Sequence, residues 1–229
     1  MPIRKKMRST RDLLRRRMHL MRKRAELLAH IQNTNTQYNL PEIGKNLSKK
    51  CHRKHIAERF VDPAVKLTVE TDLALIGYYD QLLPKIEYYI DKCAKQHEPD
   101  ALCRLRTMPG IGYILALAVL YEVGDISRFK TVQDFCSYAR LIRPEKESDG
   151  KWAEKSNKKI GNAHLKYAIK EASMLFLRRS LMAVSYREKL ERMHGKGKSY
   201  GIFTHKVGRA VYYMLKNKKA FDKKKFMYA

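Results

Sequence analysis

The sequence has few acidic residues for its size, and this shortage constrains its partners. Its 229 residues contain 23 Asp and Glu against 49 Lys and Arg, which gives a formal net charge of +26. A surplus of this size favours a polyanionic partner, and a nucleic-acid phosphate backbone is the first candidate. An anionic membrane surface is the second. The apolar fraction of 44% is high enough for a folded core, so the charge does not indicate a disordered tail.

Long apolar runs and paired cysteines are also lacking. No apolar stretch approaches about 18 residues, so we expect no transmembrane helix, and basic residues interrupt the early runs where a secretory signal would lie. The four cysteines are far apart with no C-x-x-C pair, which fits a reduced, cytosolic setting. Cys51 with His55 and Cys93 with His97 have spacings found in zinc sites, but two long helices would separate the pairs. We therefore expect no metal site.

The N-terminal segment is almost purely basic. Residues 1–24 contain eleven Lys or Arg and a single acid, Asp12. An apolar heptad stripe predicts a helix over roughly 10–32, and it consists of Leu14, Met18, Met21, Ala25 and Leu28. Because charge of one sign repels itself, we expect nucleic-acid contact from the basic residues that lie mostly off this stripe: Arg15, Arg16, Arg17, Arg22, Lys23 and Arg24. A solvated helix face is the alternative.

A second heptad helix follows a break. Turn-forming Asn, Pro and Gly residues predict a partly helical excursion over 33–60. From Pro63 to about Lys95 we predict a helix whose apolar stripe consists of Leu75, Tyr79, Leu82, Ile86, Tyr89 and Cys93. Two heptad helices joined by an excursion indicate a long antiparallel coiled-coil arm or one side of a dimer. We assign residues 1–98 to this basic coiled-coil domain, and Pro99 marks its end.

The segment Met108-Pro109-Gly110-Ile111-Gly112 organises the second half of the chain. Proline ends the helix before it, and the two glycines permit a tight turn. Residues 113–121 are all apolar, which predicts a helix buried on every side. Helix, turn and buried helix form a helix-hairpin-helix pattern, whose amides at the second N-terminus suit a phosphate. Pro109, Gly110, Ile111 and Gly112 are thus candidate nucleic-acid contacts, and a purely structural turn is the alternative.

The remaining chain also predicts helices. Gly124 is expected to end the buried helix, Thr131 and Asp134 to form a capping box, and Asn162 to cap a later helix. No strand is predicted, so the fold class is all-α, with a helical domain over 99–229. A polar loop before Asn162 carries further candidate phosphate contacts: Arg143, Lys146, Lys151, Lys155, Lys158 and Lys159.

These motifs occur in an order that carries a resemblance. After the hairpin segment come Gly124-Asp125 with Phe129, Tyr138-Ala139 with Leu141, Glu147-Ser148, Lys159 with Gly161-Asn162, and Leu165. In this order they resemble the C-terminal part of bacterial insertion-sequence transposases of the insertion-sequence-110 family. The resemblance implies a transposase that recombines DNA, guided by a structured RNA that the element encodes. It also implies a serine nucleophile that becomes linked to a DNA phosphate, and by position this is Ser148.

The resemblance further implies a part that this chain does not match. Family members have an N-terminal RuvC-like domain in which four acidic residues hold Mg²⁺, and the acids of this chain do not form that set. We therefore expect a truncated family member that binds no cofactor itself and is inactive alone. The implied partners are DNA, structured guide RNA, and further copies of the chain or the missing acidic domain. The implied location is the bacterial cytoplasm, at the nucleoid.

Three functions remain open from the sequence. The first is a recombinase fragment in which Ser148 is the nucleophile, with its proton acceptor unassigned. The second is a non-enzymatic helix-hairpin-helix binder of DNA or RNA in which this serine is idle. Membrane association is third, because the apolar stripes can pair with each other. Two positions differ from the family pattern, since Arg140 and Asp149 stand where glycine is usual.

Overall fold

A computed structural model describes the backbone of residues 5–44, 46–142, 147–148, 151–152 and 160–228. Within these ranges the chain forms nine α-helices: α1 Lys5–Gln37, α2 Pro63–His97, α3 Pro99–Arg106, α4 Tyr113–Val123, α5 Val132–Tyr138, α6 Ala163–Arg179, α7 Leu181–His194, α8 Lys196–Lys216 and α9 Lys223–Tyr228. Short 3-10 helices cover Lys50–Arg53, Ala57–Arg59 and Ile126–Arg128. The all-α class is confirmed.

One pair of very short strands departs from the prediction. Strands β1 (Glu147–Ser148) and β2 (Lys151–Trp152) pair antiparallel, with Glu147 opposite Trp152 and Ser148 opposite Lys151. The dipeptide between them is Asp-Gly, which is strongly favoured in two-residue hairpin turns. That local turn signal, read together with its flanking residues, could have predicted the pair.

The chain divides into two compact units. One is Asp12–Cys93, which we call the helix-pair unit, and the other combines Met1–Arg11 with Ala94–Ala229, which we call the C-terminal unit. The predicted domain boundary after residue 98 lies close to this division and stays a prediction.

In the helix-pair unit, ion pairs fix the direction of α1 against α2. Arg17 Nη2 lies 2.6 Å from Glu87 Oε1, and Arg24 Nε lies 2.7 Å from Asp80 Oδ1. Further along α1, His30 Nδ1 lies 2.5 Å from Asp72 Oδ2. Along these three pairs the residue number increases in α1 and decreases in α2, so the two helices run antiparallel. Coiled-coil packing between them stays a prediction.

The apolar stripes of both helices are shifted from the predicted positions. On α2 the buried heptad is Val69, Ile76, Leu83 and Ile90, whereas the predicted Leu75 and Tyr89 are 43% and 56% exposed. On α1, Leu14 and Met18 are buried as predicted, but Ala25 is exposed and the half-buried Arg24 takes its place. The α2 sequence carries two overlapping heptads one residue apart. Periodicity alone cannot choose between them, because the choice depends on the partner helix.

The excursion between the helices is part of the core of this unit. Helix α1 continues to Gln37, beyond the predicted end, and Asn35 Nδ2 then donates to the carbonyls of Leu40 and Pro41 at 3.2 and 3.1 Å. Past this point the excursion adds its own apolar side chains to the α1–α2 core: Leu47, Ile56, Ala57 and Phe60, all buried with Ile31, Val69 and Ile76. Turn residues here redirect the chain so that it covers the helix pair.

In the C-terminal unit, α4 is the inner helix, packed between α3 and α6. Every residue from Ala116 to Val123 is buried, while the first three residues of α4 are half-buried, so the predicted burial on every side holds from Ala116 onward. Helix α6 also packs on α7 and α8, and α8 buries the predicted Phe203, Val207 and Val211. The capping box of Thr131 and Asp134 is present at the start of α5. The C-terminal unit therefore holds the α3–α4 turn and the ends of the serine loop (142–160) on one apolar core.

Candidate nucleic-acid interface and serine loop

The turn between α3 and α4 is tight and largely fixed by its own backbone. Met108 N donates to Leu105 O at 3.2 Å, and Ile111 N donates to Met108 O at 3.1 Å. Gly112 is the N-cap residue of α4, and no side chain caps the helix there. Amides in the first turn of a helix have no carbonyl partner within that helix. The start of α4 therefore has the local geometry that suits an anion.

The residues of the predicted contact set differ in exposure. Gly110 is buried at φ +92°, and a Cβ built on it would overlap Ala172 O and stand 2.5 Å from Phe176 N. Ile111 is 4% exposed, and its amide is already bonded within the turn. Pro109 is half-buried and Gly112 is exposed, with open space around its Cβ position. Gly110 and Ile111 thus shape and pack the turn, while Gly112 is exposed and the first three residues of α4 are half-buried.

Arg106 is a cation at this turn that the sequence pattern did not single out. It is exposed at the end of α3, and its Cζ lies 5.7 Å from the centre of the Tyr113 ring at the start of α4. A cation held over an aromatic ring near a helix N-terminus adds positive potential at a place where the helix dipole already favours an anion. In the sequence, only its position next to the turn could have indicated that Arg106 contributes to this site.

The predicted basic face of α1 is partly used inside the helix-pair unit. Arg17 and Arg24 pair with the carboxylates of Glu87 and Asp80, and Arg53 also pairs with Asp80. Partial burial raises the pKa of the Asp80 carboxyl, but hydrogen bonds from Arg53 and Arg24 outweigh it and hold that pKa below the ordinary 3.8. The sequence could not show these pairs, because their partners lie 27 to 70 residues away.

The other basic residues of the predicted α1 set are less enclosed. Arg16, Arg22 and Lys23 are exposed and Arg15 is half-buried. Lys23 Nζ lies 2.7 Å from Glu26 Oε2, and the hydrogen bond and charge of this carboxylate raise the pKa of Lys23. These exposed groups are the ones through which α1 can reach a phosphate backbone.

For the serine loop, the structure describes the backbone of the strand pair and the two ends. Ser148 lies in β1, opposite Lys151 of β2. The side chains of both lie outside the described residues, as do Arg143, Lys146, Lys155, Lys158 and Lys159 as a whole. For the proposed nucleophile and its neighbouring cations, the sequence gives their order along the chain. The structure adds that the backbone of Ser148 pairs with that of Lys151.

Both ends of the serine loop are fastened to the last turn of α5. At the start, Leu141 N donates to Cys136 O at 2.9 Å, and at the end, Asn162 N donates to Tyr138 O at 2.6 Å. Arg140, where the resemblance led us to expect glycine, has φ +54°, a conformation that glycine adopts readily. A Cβ on Gly161 would stand 2.7 Å from Tyr138 O. The loop therefore leaves and returns at the same place in the core.

A buried acid stabilises the returning end. Asn162 Oδ1 caps α6 by accepting from His164 N and Leu165 N at 2.9 and 3.0 Å, as the sequence predicted. Its Nδ2 donates to Glu122 Oε2 at 2.7 Å and to Tyr138 Oη at 3.0 Å. Glu122 is 1% exposed, on a helix that is otherwise apolar. Sequence reasoning missed Glu122, although a single acid within a buried helix was a signal that it has a partner.

Cysteine and metal chemistry find little support in the described residues. Burial raises the pKa of the Cys136 thiol to about 11, so this side chain is a poor nucleophile at neutral pH. His55 Nδ1 lies 2.8 Å from Glu58 Oε1, and His97 Nδ1 lies 2.9 Å from Tyr121 Oη. Over the described ranges no group of three or more His, Cys, Asp or Glu could hold a metal ion. These residues therefore do not fit the magnesium that the family resemblance implies.

In the part of the chain that the structure describes, none of the helices combines the length and the apolar character needed to cross a bilayer.

Comparison with known proteins identifies the segment that carries the turn and the serine loop. Residues 103–187 match the model of the transposase IS116/IS110/IS902 family. The chain is also 26% identical over 173 residues to a protein of Coxiella burnetii (strain RSA 493 / Nine Mile phase I), described as the transposase for insertion sequence element IS1111A. That similarity covers 72% of this chain but 46% of the relative, so the chain spans about half of the curated relative's length. Residues 103–187, which lie in the C-terminal unit, therefore resemble the IS116/IS110/IS902 transposase family.

Proposed function

We propose that this chain acts in the transposition of an insertion sequence as the part of a DNA recombinase that binds nucleic acid and supplies the serine nucleophile. The observation that carries the proposal is that the family segment, 103–187, contains both the α3–α4 turn and the serine loop. The excess of 26 positive charges supports a phosphate backbone as the partner. Because the chain spans about half of its curated relative, the activity of the whole enzyme is part of the proposal.

Duplex DNA is the main proposed ligand, and a structured guide RNA is the second. Gly112 and the following amides of α4 would contact a phosphate, with Arg106 beside them. Arg16, Arg22 and Lys23 of α1 would contact backbone elsewhere. Such contacts fix position on the nucleic acid and carry no sequence information, so target choice would come from another element, such as the guide RNA.

Ser148 is the proposed nucleophile of strand exchange. Its Oγ would attack a DNA phosphorus, an Oγ–P bond would form, and the P–O bond to the leaving strand would break. The serine proton would pass to a base, and the leaving oxygen would take up a proton. Arg143, Lys146 and Lys151 flank the serine in sequence, and their charge would stabilise the developing negative charge. A loop with both ends fastened would lose less entropy on positioning its hydroxyl.

A retained protein–DNA linkage tests the nucleophile. We would mix the chain with cognate DNA, guide RNA, Mg²⁺ and the acidic domain as a separate protein, then separate covalent adducts under denaturing conditions. The expected result is an adduct from the unaltered chain and from Ser156→Ala, a control in the same loop, but none from Ser148→Ala. All three should bind DNA equally. An adduct from Ser148→Ala would refute the assignment, and DNA binding with no adduct from any chain would favour the non-enzymatic binder.

The chain alone is proposed to be inactive. The described residues offer no metal cluster of their own. An adduct formed without the acidic domain would contradict this part of the proposal.

Self-association is proposed through the outer face of α2. Leu75, Tyr78 and Tyr89 are 43% to 57% exposed, and they recur along one side of the helix away from the buried heptad. A second copy could cover this face. Sedimentation equilibrium should show that the unaltered chain forms an oligomer and that Tyr78→Glu self-associates more weakly. A monomer at all concentrations would contradict it.

A further inference from the structure

The C-terminal lysine segment is a strongly basic surface of the C-terminal unit. Between 216 and 228 the sequence has one acid, Asp222, and a set of six lysines: Lys216, Lys218, Lys219, Lys223, Lys224 and Lys225. All six are exposed, and within the described residues none of them forms an ion pair. Composition alone would assign this segment to a solvated tail.

The structure instead folds the segment onto the core. After α8 the chain turns at Lys218 (φ +53°), with Lys219 N bonded to Met214 O at 3.2 Å. Asp222 Oδ1 then accepts from Lys225 N at 3.0 Å and starts α9. Phe226 is 5% exposed, and its ring centre lies 5.4 Å from that of Phe176. The lysines are therefore carried on a backbone that aromatic packing holds in place.

The same packing places the segment beside the α3–α4 turn. Phe221 N donates at 2.8 Å to Oγ1 of Thr107, which is the C-cap residue of α3. The Phe221 ring centre lies 5.7 Å from that of Phe176. Phe176 is also the residue whose backbone lies against Gly110 in the turn. The turn, one side of α6 and the lysine segment thus form a continuous piece of structure, although the hydrogen-bonded pair is 114 residues apart in sequence.

We infer that the folded lysine segment and the α3–α4 turn together form one binding surface for the phosphate backbone of duplex DNA. This inference rests on the proposed nucleic-acid function and adds an element outside the family-matched segment 103–187. Holding like charges together costs free energy in the free protein, and phosphates would offset that cost. Duplex DNA is favoured over a single strand, because the segment carries six lysines and its two phenylalanines, the aromatic side chains described there, pack inward and are not available for base stacking.

The first experiment removes the charges of α9. The variant Lys223→Gln with Lys224→Gln and Lys225→Gln is compared with a charge-matched control on α7 and α8, Lys189→Gln with Arg192→Gln and Lys198→Gln. Each phosphate contact contributes about 0.9 to the log–log salt slope on duplex DNA, so the α9 variant should lose up to about 2.7. The control should lose less than about 1. Equal losses in both variants would show diffuse charge and overturn the inference.

A third variant separates this inference from the proposed function. Arg106→Gln removes the cation of the turn itself, and we expect it to weaken binding about as much as one phosphate contact. If Arg106→Gln weakens DNA binding while the α9 variant does not, the lysine segment is refuted and the turn stands. If neither variant changes the affinity or the salt slope, both the lysine segment and the turn are refuted as DNA contacts. A preference for duplex RNA over duplex DNA would overturn the choice of ligand.

The second experiment keeps the charges and removes their placement. Phe226→Ala should detach α9 and lower affinity for duplex DNA at least about threefold, because a mobile segment loses entropy on binding. Phe226→Leu should retain most of the affinity. Thr107→Val removes the contact to Phe221 N together with the Thr107 Oγ1 bond to Arg104 O, and it gives a second route should Phe226→Ala disturb the core, as judged by circular dichroism. Full affinity in both Phe226→Ala and Thr107→Val would show that the segment acts as an unfolded charged tail, which would overturn the inference.

Discussion

In the helix-pair unit three arginines reach carboxylates of α2, whereas the lysines of 216–225 in the C-terminal unit face solvent beside one aspartate. Both regions carry more basic than acidic residues in the sequence. The acids of α2 neutralise Arg17, Arg24 and Arg53, so part of the positive charge in that unit stabilises the fold. Net charge therefore identifies the class of partner, while the pairing of individual cations decides which surface remains to bind it.

The two units also differ in what holds them together. Ion pairs and a shifted apolar heptad join the helices of the helix-pair unit, while close backbone packing around α4 and α6 organises the C-terminal unit. Three pairs of variants and one pH series test this difference between the units.

Gly110→Ala should be the most destabilising substitution. The new Cβ would overlap Ala172 O at a positive φ, so we expect a loss of about 3 kcal/mol of unfolding free energy, measured by urea denaturation. Gly112→Ala is the matched control, since its Cβ meets nothing within 4 Å, and it should change stability by less than about 0.5 kcal/mol. Equal unfolding free energies of the two variants would contradict the claim that Gly110 is needed for the turn to pack against α6.

Asn162→Ala should be the next most disruptive. It removes the cap of α6 and leaves the Glu122 carboxylate without that donor, so we expect a loss of about 2 kcal/mol. Hydrogen exchange should rise at Leu165 N, whose acceptor is lost. Ser180→Ala, at the cap of α7, is the control, because its 3.4 Å bond to Ala183 N is weaker. Unchanged exchange at Leu165 would contradict the proposed anchor.

Asp80→Asn should weaken the helix-pair unit by about 1 kcal/mol. The aspartate pairs with both Arg24 and Arg53, but its side chain is 26% exposed, so solvent screens the two ion pairs. The larger loss of unfolding free energy that is typical of breaking a buried ion pair is therefore not expected. Glu58→Gln, which removes an exposed partner of His55, should have no measurable effect. Protection of α1 amides from hydrogen exchange is the measurement, and equal protection in both variants would refute the importance of these pairs.

The same aspartate gives a smaller, pH-dependent effect. Its pKa in the folded chain lies below the ordinary 3.8, so its contribution is fully present above that value. As pH falls below 3.8 and through the folded pKa, the unfolded chain binds the proton more readily and the contribution is lost. The stability difference between the unaltered chain and Asp80→Asn should therefore shrink below about pH 4. A constant difference down to pH 2 would contradict the pairing.

Local signals predicted a large part of the C-terminal unit. The apolar run of α4, the capping box at Thr131 and the cap at Asn162 each depend on residues within one or two turns, so the sequence was sufficient. Distant partners were beyond its reach. The heptad phase of α2 depends on α1, and Asn162 meets Glu122 across 40 residues. Thr107 meets Phe221 N across 114 residues, so the docking of the lysine segment had no local signal.

The salt dependence of duplex DNA binding by the whole chain tests the nucleic-acid function most directly. If about eight phosphates are neutralised, the logarithm of the association constant should fall with the logarithm of salt concentration at a slope near −7. Binding that does not change with salt would show that the surplus of lysine and arginine contacts no phosphate backbone, and would contradict the proposed function.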